Sequence, residues 1–486
     1  MKSLFFLLSS IGIVWAQSLM LPSIFSDNMI IQRGIQAPVW GISKPGSEIK
    51  IVVDNQQVKC ISDANGSWKV FLPYLSTGQT YSVIITSGSD KVEFKNVVVG
   101  DVYYAGGQSN MQFALSESTG GETEIANADY KNIRLFTVPR DISFQPKFDI
   151  NQKSKEQSFH GQWVTCTPAT AKDFSGVAYY FAKKIHQNEN IPIGIINVSW
   201  GGTPIEAHMS WEANASLPYF KNTLAEIRIK KSSDTIKINR KTEVPQVPSC
   251  IFNAMIHPLI PFGIKGFIWY QAEQNWANPF RYRFQFKTFI QDLRQRWQLG
   301  YLPFYYVQLP GMGKKPAQPM EDFWSVIRES QNESLTLPNV HTVVTLDLGE
   351  SDIHPKNKKS PGERLADLAL KYQYNKPTLP QCPVFESFAT KLDTIELSFK
   401  YAQQGLMFRN DTVKGFAIAG DDHQFVWANA IIKENKVLVF SPKVKQPFSV
   451  RYAWGEDPPI SLFTKIGLPV SPFRTDTWYV REDGKW

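Results

Sequence analysis

The chain has 486 residues, 43% of them hydrophobic and 20% charged, a balance that excludes a disordered or low-complexity polypeptide and leaves room for two or three domains. Its formal net charge is +8, yet its Lys clusters, Lys230-Lys231 and Lys356-Asn357-Lys358-Lys359, are short and lie in no nucleic-acid motif, so no nucleic-acid partner is expected. Aromatic residues reach 13%, a level that suits sugar-stacking surfaces and large β-rich cores equally.

Residues 1–16 read as an export signal. Lys2 gives a positive start, Leu4 to Val14 a short apolar run, and Val14-Trp15-Ala16 a small residue before cleavage after Ala16. The run is too short for a membrane span and no later stretch is long enough, so a secreted or periplasmic location is expected. No Cys follows the apolar run to carry a lipoprotein anchor. Cys60, Cys166, Cys250 and Cys382 are dispersed and fit no metal spacing. Either one or two disulfides or isolated thiols would satisfy them. No cofactor or metal is expected.

From residue 17 to 96, short alternating segments stand between turn signals at Pro45-Gly46, Asn65-Gly66 and Thr77-Gly78. Glu48–Val53, Ser67–Leu72, Tyr81–Ile85 and Lys91–Phe94 are strand-like, which predicts a small N-terminal β-sandwich. The pattern changes at Val97. Between 97 and 382, apolar strand runs at Ile191–Val198, Ile264–Tyr270, Phe304–Gln308 and Val340–Leu346 alternate with helical periods at Asp173–Gln187 and Arg283–Trp297. Ser360-Pro361-Gly362-Glu363 reads as a capping box opening a helix that runs to about Tyr372. The alternation predicts an α/β domain with a parallel sheet sandwiched by helices, and ligands at the carboxyl ends of its strands. Residues 212–250 are polar and irregular and read as an insertion. From 383 to 486, Phe416–Asp422, Lys436–Phe440 and Phe448–Trp454 return to strand character and predict a C-terminal β-rich domain.

The stretch Val97–Met111 carries the first chemical signal. A buried strand ends in Gly106-Gly107-Gln108 and then Ser109, a place where a nucleophile is exposed beside backbone N–H groups; a Gly-rich turn capped by Ser is the plainer alternative. His354 follows the Val340–Leu346 strand by a short loop, with Asp347, Glu350 and Asp352 nearby to orient an imidazole. Two further strand ends close in small or polar groups, at Gly201-Gly202-Thr203 and at Gln271-Ala272-Glu273-Gln274-Asn275. Glycine allows a backbone N–H to approach a ligand closely, and polar groups crowded at a buried strand end must find partners. His257, before Pro258, reads as a structural histidine.

Together Gly107-Gln108-Ser109-Asn110-Met111, Gly201-Gly202-Thr203, Trp269-Tyr270-Gln271-Ala272-Glu273 and Asp352-Ile353-His354-Pro355 resemble the sialate O-acetylesterase family, within the larger group of SGNH hydrolases. Further stretches extend the resemblance through nearly the whole mature chain: Leu21–Met29, Asn253–Pro261, Arg451–Trp454 and Pro472–Asp476. The resemblance implies an SGNH-type fold and a metal-free esterase removing O-acetyl groups from sugars. Ser109 would be the nucleophile, His354 the base and Asp352 the orienting acid. The N–H of Ser109, a glycine N–H from Gly201 or Gly202 and a donor from the third motif would hold the oxyanion. Gln108, Asn110, Gln271 and Glu273 would complete the binding site.

Two departures from the family pattern stand out. The third motif reads Gln271-Ala272-Glu273-Gln274 where relatives commonly have Gln-Gly-Glu-Ser. The place three residues before the histidine, usually Asp, is Ser351. The orienting acid is therefore open among Asp352, Asp347, Glu273 and none. Sialate leads among the substrates, with plant-type glycans such as xylan or xyloglucan as the alternative. A sialate carboxylate would call for a basic neighbour, for which Lys356, Lys358, Arg328 and Arg364 are candidates. A non-catalytic carbohydrate-binding protein would need neither Ser109 nor His354, and a lipid esterase would want an apolar lid segment that the chain lacks.

Overall fold

The computed structural model describes residues 19–151, 160–220, 246–409 and 413–478. The expected export signal and the centre of the 212–250 insertion lie outside them. At the middle of the fold is a seven-strand path in the order Val340–Val343, Phe304–Val307, Gly266–Tyr270, Asp90–Gly107, Ile193–Ser199, Tyr130–Thr137, Trp163–Cys166. All neighbours are parallel except the last pair. This is the expected α/β sheet, with two strands, Tyr130–Thr137 and Trp163–Cys166, added at one edge.

Alternation along the buried strands sorts their side chains to two faces. Tyr104, Phe267, Trp269, Phe304 and Tyr306 meet the helices Pro279–Trp297 and Phe323–Asn332. Tyr103, Ala105, Ile268, Tyr305 and Val307 meet Gly176–Glu189 and Lys359–Gln373. The latter two helices pack closely at Gly362, where a Cβ would come within 2.9 Å of the Tyr180 Cβ and nearer still to the Val177 carbonyl. Lys359–Gln373 begins before the expected capping box. Lys358 is its N-cap, and Asn357 just before it accepts from the Ser360 N–H at 3.0 Å through its Oδ1, so Ser360 and Pro361 lie inside the helix.

The strand Asp90–Gly107 is 18 residues long and serves two sheets. Its first half pairs with Thr80–Ser87 and Ile30–Gln32, in the N-terminal sheet that also holds Glu48–Val53 and Gln56–Ile61. Its second half is the centre of the α/β sheet. The pattern change at Val97 thus marks a change of sheet within one strand. The ribbon Pro38–Ile42 with Ser67–Phe71 covers the N-terminal sheet. Beyond Val384, the described residues form two four-stranded sheets and a two-stranded one around a separate core that includes Ile395, Leu397, Val439, Ile418, Val450 and Tyr452. All four cysteines are free thiols, three of them buried. Among the described residues no helix is long and apolar enough to cross a membrane, and no group of three or more His, Cys, Asp or Glu is placed to hold a metal ion.

Candidate active site

The long strand ends where two glycines are required. A Cβ on Gly106 would strike the rings of Tyr104 and Trp269, and one on Gly107, whose φ is +146°, would overlap the Tyr270 carbonyl oxygen. The chain turns there, with the Gln108 N–H donating to that carbonyl at 3.1 Å, and Ser109 opens the short helix Ser109–Gln112. Its own N–H is among those a helix start leaves without an intrahelical partner. The Ser109 Oγ lies 2.8 Å from His354 Nε2.

Asp352 lies on the other side of the imidazole. Its Oδ1 is 3.2 Å from His354 Nδ1 and accepts the His354 backbone N–H at 2.7 Å. That backbone bond, more than the imidazole, holds the Asp352 carboxyl below the usual carboxylate range. The side chain is 68% exposed, so water competes for it. The other candidate acids are committed elsewhere: Asp347 pairs with Arg364 in a two-pronged contact at 2.9 and 2.6 Å, and Glu273 accepts from Asn110.

Asn110 is fully buried and does not face the cleft. Its Nδ2 donates to Glu273 Oε1 and, at 3.0 Å, to the carbonyl of Ile353, the residue before His354. Its Oδ1 accepts from Lys358 Nζ at 2.6 Å. The residue after the nucleophile therefore ties the serine turn to the histidine loop. Burial raises the Glu273 carboxyl above its ordinary range and brings the Lys358 ammonium down to about 7. Lys358 also sits 4.4 Å over the Phe113 ring, which in turn stacks beside His354.

The Gly201-Gly202 turn approaches the serine so closely that a Cβ on Gly201 would lie 3.2 Å from the Ser109 Cβ. The two glycines differ. The Gly201 N–H already donates to Gln112 Oε1 at 2.8 Å, whereas the Gly202 N–H has no protein partner among the described residues. Gln271, expected in the binding site, is fully buried behind the turn. Its Nε2 donates to the Thr203 carbonyl at 3.2 Å and to Asn275 Oδ1, and its Oε1 accepts from Tyr282. It buttresses the glycine turn through Thr203, and its other donor is spent on Asn275. Of that motif only Glu273 and Gln274 reach the cleft lining, and the Gln274 N–H is bound to Gln108 Oε1 at 3.1 Å. His208 supports the same turn through Thr203 Oγ1 at 2.8 Å, with burial pushing its imidazole down to about 3.

These elements border a cleft of about 670 Å³. Beyond Gln108, Ser109, Gly201, Gly202, Glu273, Gln274, Ile353 and His354, its walls are Trp276, Met312, Asp322, Phe323, Trp324 and Glu456. This second wall is not legible in the local sequence. The Asp322 N-cap of the helix Phe323–Asn332 is a local signal, but nothing local says that this helix start lines the same cleft as Ser109, 213 positions earlier. None of the four basic candidates lines the cleft. Arg328 is fully buried and donates to the carbonyls of Leu309, Pro310, Gly455 and Glu456; Arg364 is on Asp347; Lys358 is on Asn110; Lys356 is exposed outside the lining.

With this geometry in view, residues 246–371 match the family model for carbohydrate esterases described as sialic acid-specific acetylesterase. Human sialate O-acetylesterase is 27% identical over 477 residues, covering 89% of this chain and 87% of that protein. The mouse sialate O-acetylesterase is 26% identical over 492 residues, covering 88% of each. In structure the chain is similar to a carbohydrate acetylesterase from Xanthomonas citri, with a TM-score of 0.83 and 35% identity over 95% of this chain and 100% of that one.

Proposed function

Because the chain belongs to the sialate O-acetylesterase family of carbohydrate esterases, we propose that the cleft works as a serine esterase site with Ser109 as nucleophile and His354 as base. The enzyme removes O-acetyl groups from sugars. The observation that carries the assignment of roles is the 2.8 Å contact between Ser109 Oγ and His354 Nε2 at the cleft wall.

In the proposed reaction His354 Nε2 takes the Ser109 proton as Oγ attacks the acetyl carbonyl. The oxyanion is met by the N–H groups of Ser109 and Gly202, each donor worth roughly 3 kcal/mol in the transition state. His354 then gives its proton to the departing sugar oxygen, leaving an acetyl-enzyme. A water deprotonated by His354 releases acetate and restores Ser109. Asp352 orients the imidazole from its Nδ1 side.

The export reading of residues 1–16 accompanies this proposal, since polymeric glycans are met outside the cytoplasm; N-terminal sequencing of the secreted protein should begin at Gln17. For the chemistry, Ser109→Ala should reduce p-nitrophenyl acetate hydrolysis by roughly three orders of magnitude or more, with an unchanged circular dichroism spectrum. Retained turnover in a folded variant would overturn the role of Ser109.

A further inference from the structure

The cleft that holds Ser109 has an unequal charge distribution. Among the described residues its lining contains three carboxyl groups, Glu273, Asp322 and Glu456, and no Lys or Arg. Two of the three are spoken for: Glu273 by Asn110 and the Ala272 N–H, and Asp322 by the N–H groups of Trp324 and Ser325 that it caps. Glu456 is different. Its side chain is exposed and has no hydrogen-bond or ion-pair partner among the described residues.

Its backbone, by contrast, is held hard. The carbonyl of Glu456 accepts from Arg328 Nη2 at 2.7 Å, that of Gly455 from Arg328 Nη1 at 2.6 Å, and the Gly455 N–H donates to Ser325 Oγ at 2.6 Å. No cation among the described residues pairs with the Glu456 carboxylate; Arg328 reaches it through charge alone and is opposed by Asp322. Arg328 is spent on carbonyls, Lys315 pairs with Asp457 at 3.0 Å, and Lys356 lies outside the lining. A carboxylate on a held backbone, unpaired among the described residues and sharing the cleft lining with the exposed Trp276, is an acceptor awaiting donors. Sugar hydroxyls are such donors, and hydrogen bonds to an ionised acceptor are the stronger kind. A sugar carboxylate placed there would meet like charge from Glu456 and Asp322, with no Lys or Arg in the described lining to pair with it.

We propose that Glu456 sets the sugar class of this site: uncharged O-acetylated sugars, whose hydroxyls donate to its carboxylate, are accepted, and sugars carrying their own carboxylate are disfavoured. The proposal rests on the reading of Ser109 and His354 as the reacting pair. Of the two substrate classes left open by the sequence, it favours the neutral glycans, and it makes a C-terminal-domain residue a determinant of specificity.

The test measures acetate release by the full chain from acetylated xylobiose and from 9-O-acetylated N-acetylneuraminic acid, with p-nitrophenyl acetate as a sugar-free reference. In the wild type, kcat/KM should favour the neutral sugar by about tenfold or more. Glu456→Gln should shrink that ratio by about tenfold. Raising the salt from 20 to 500 mM should lift the rate on the sialate ester while leaving the neutral ester unchanged within about twofold, a measurement that needs no variant. Preference for the sialate ester, a ratio unmoved in folded Glu456→Gln, or a salt-insensitive sialate rate would each overturn the proposal. Loss of p-nitrophenyl acetate hydrolysis in the wild type would instead refute the Ser109 reading beneath it.

Discussion

Asp352 is a poor copy of a buried triad acid. It touches the imidazole once, at 3.2 Å, from a largely exposed side chain. An exposed ion pair contributes little, so Asp352→Asn should lower kcat by about tenfold or less, while His354→Ala should lose about a thousandfold or more. Comparing both with p-nitrophenyl acetate would show whether the site runs as a Ser–His dyad. Lys358 makes a second prediction at this scale. Burial brings its folded-state value down to about 7, from 10.5 for a free lysine. Between those limits the unfolded chain holds a proton that the folded chain lacks, so folding loses stability as pH falls through the window. The urea midpoint of the wild type should rise from pH 7 towards pH 10, and Lys358→Met should flatten that rise.

The helix Phe323–Asn332 brings the second wall of the cleft into place, and Arg328 within it is the fastening. One guanidinium satisfies four carbonyls, two from the loop after Phe304–Val307 and two from the C-terminal domain. Arg328→Met would leave buried acceptors without partners, and chemical denaturation should register a loss of roughly 3 kcal/mol or more. How much of this was legible depended on range. Strands such as Gly266–Tyr270 and helices such as Pro279–Trp297 follow from local periodicity, and the strand-end serine and histidine follow from their positions on those elements. Local periodicity could not say that Asn110 points away from the cleft, that Gly201 spends its N–H on Gln112, or that Gln271 serves the turn rather than the substrate. Each depends on a partner far along the chain. The helix at 359 begins before the expected Ser360 cap, with Asn357 accepting from the Ser360 N–H and donating to its hydroxyl, a pairing that local periodicity does not specify.

Across the whole molecule, the N-terminal sheet and the α/β sheet share the strand Asp90–Gly107, and the C-terminal domain is fastened through Arg328 and through Arg474, which pairs with Glu329 at 2.7 Å. A shared strand cannot melt in one sheet and persist intact in the other. Calorimetry should therefore show the N-terminal and α/β regions unfolding in one transition, with a calorimetric enthalpy matching the van't Hoff value. Two resolved transitions, with the N-terminal region melting first, would contradict this.

That strand also sets a direction. The strand is broken once, by a bulge at Lys95-Asn96 where Asn96 takes a φ of +54°, so it bends between the two sheets, with the N-terminal sheet along one arm and Ser109 just past the end of the other. With no linker between them, the angle between the N-terminal domain and the mouth of the cleft is built in. Any surface or scaffold to which the N-terminal domain is attached would aim the catalytic mouth along one fixed heading, as a handle aims a blade.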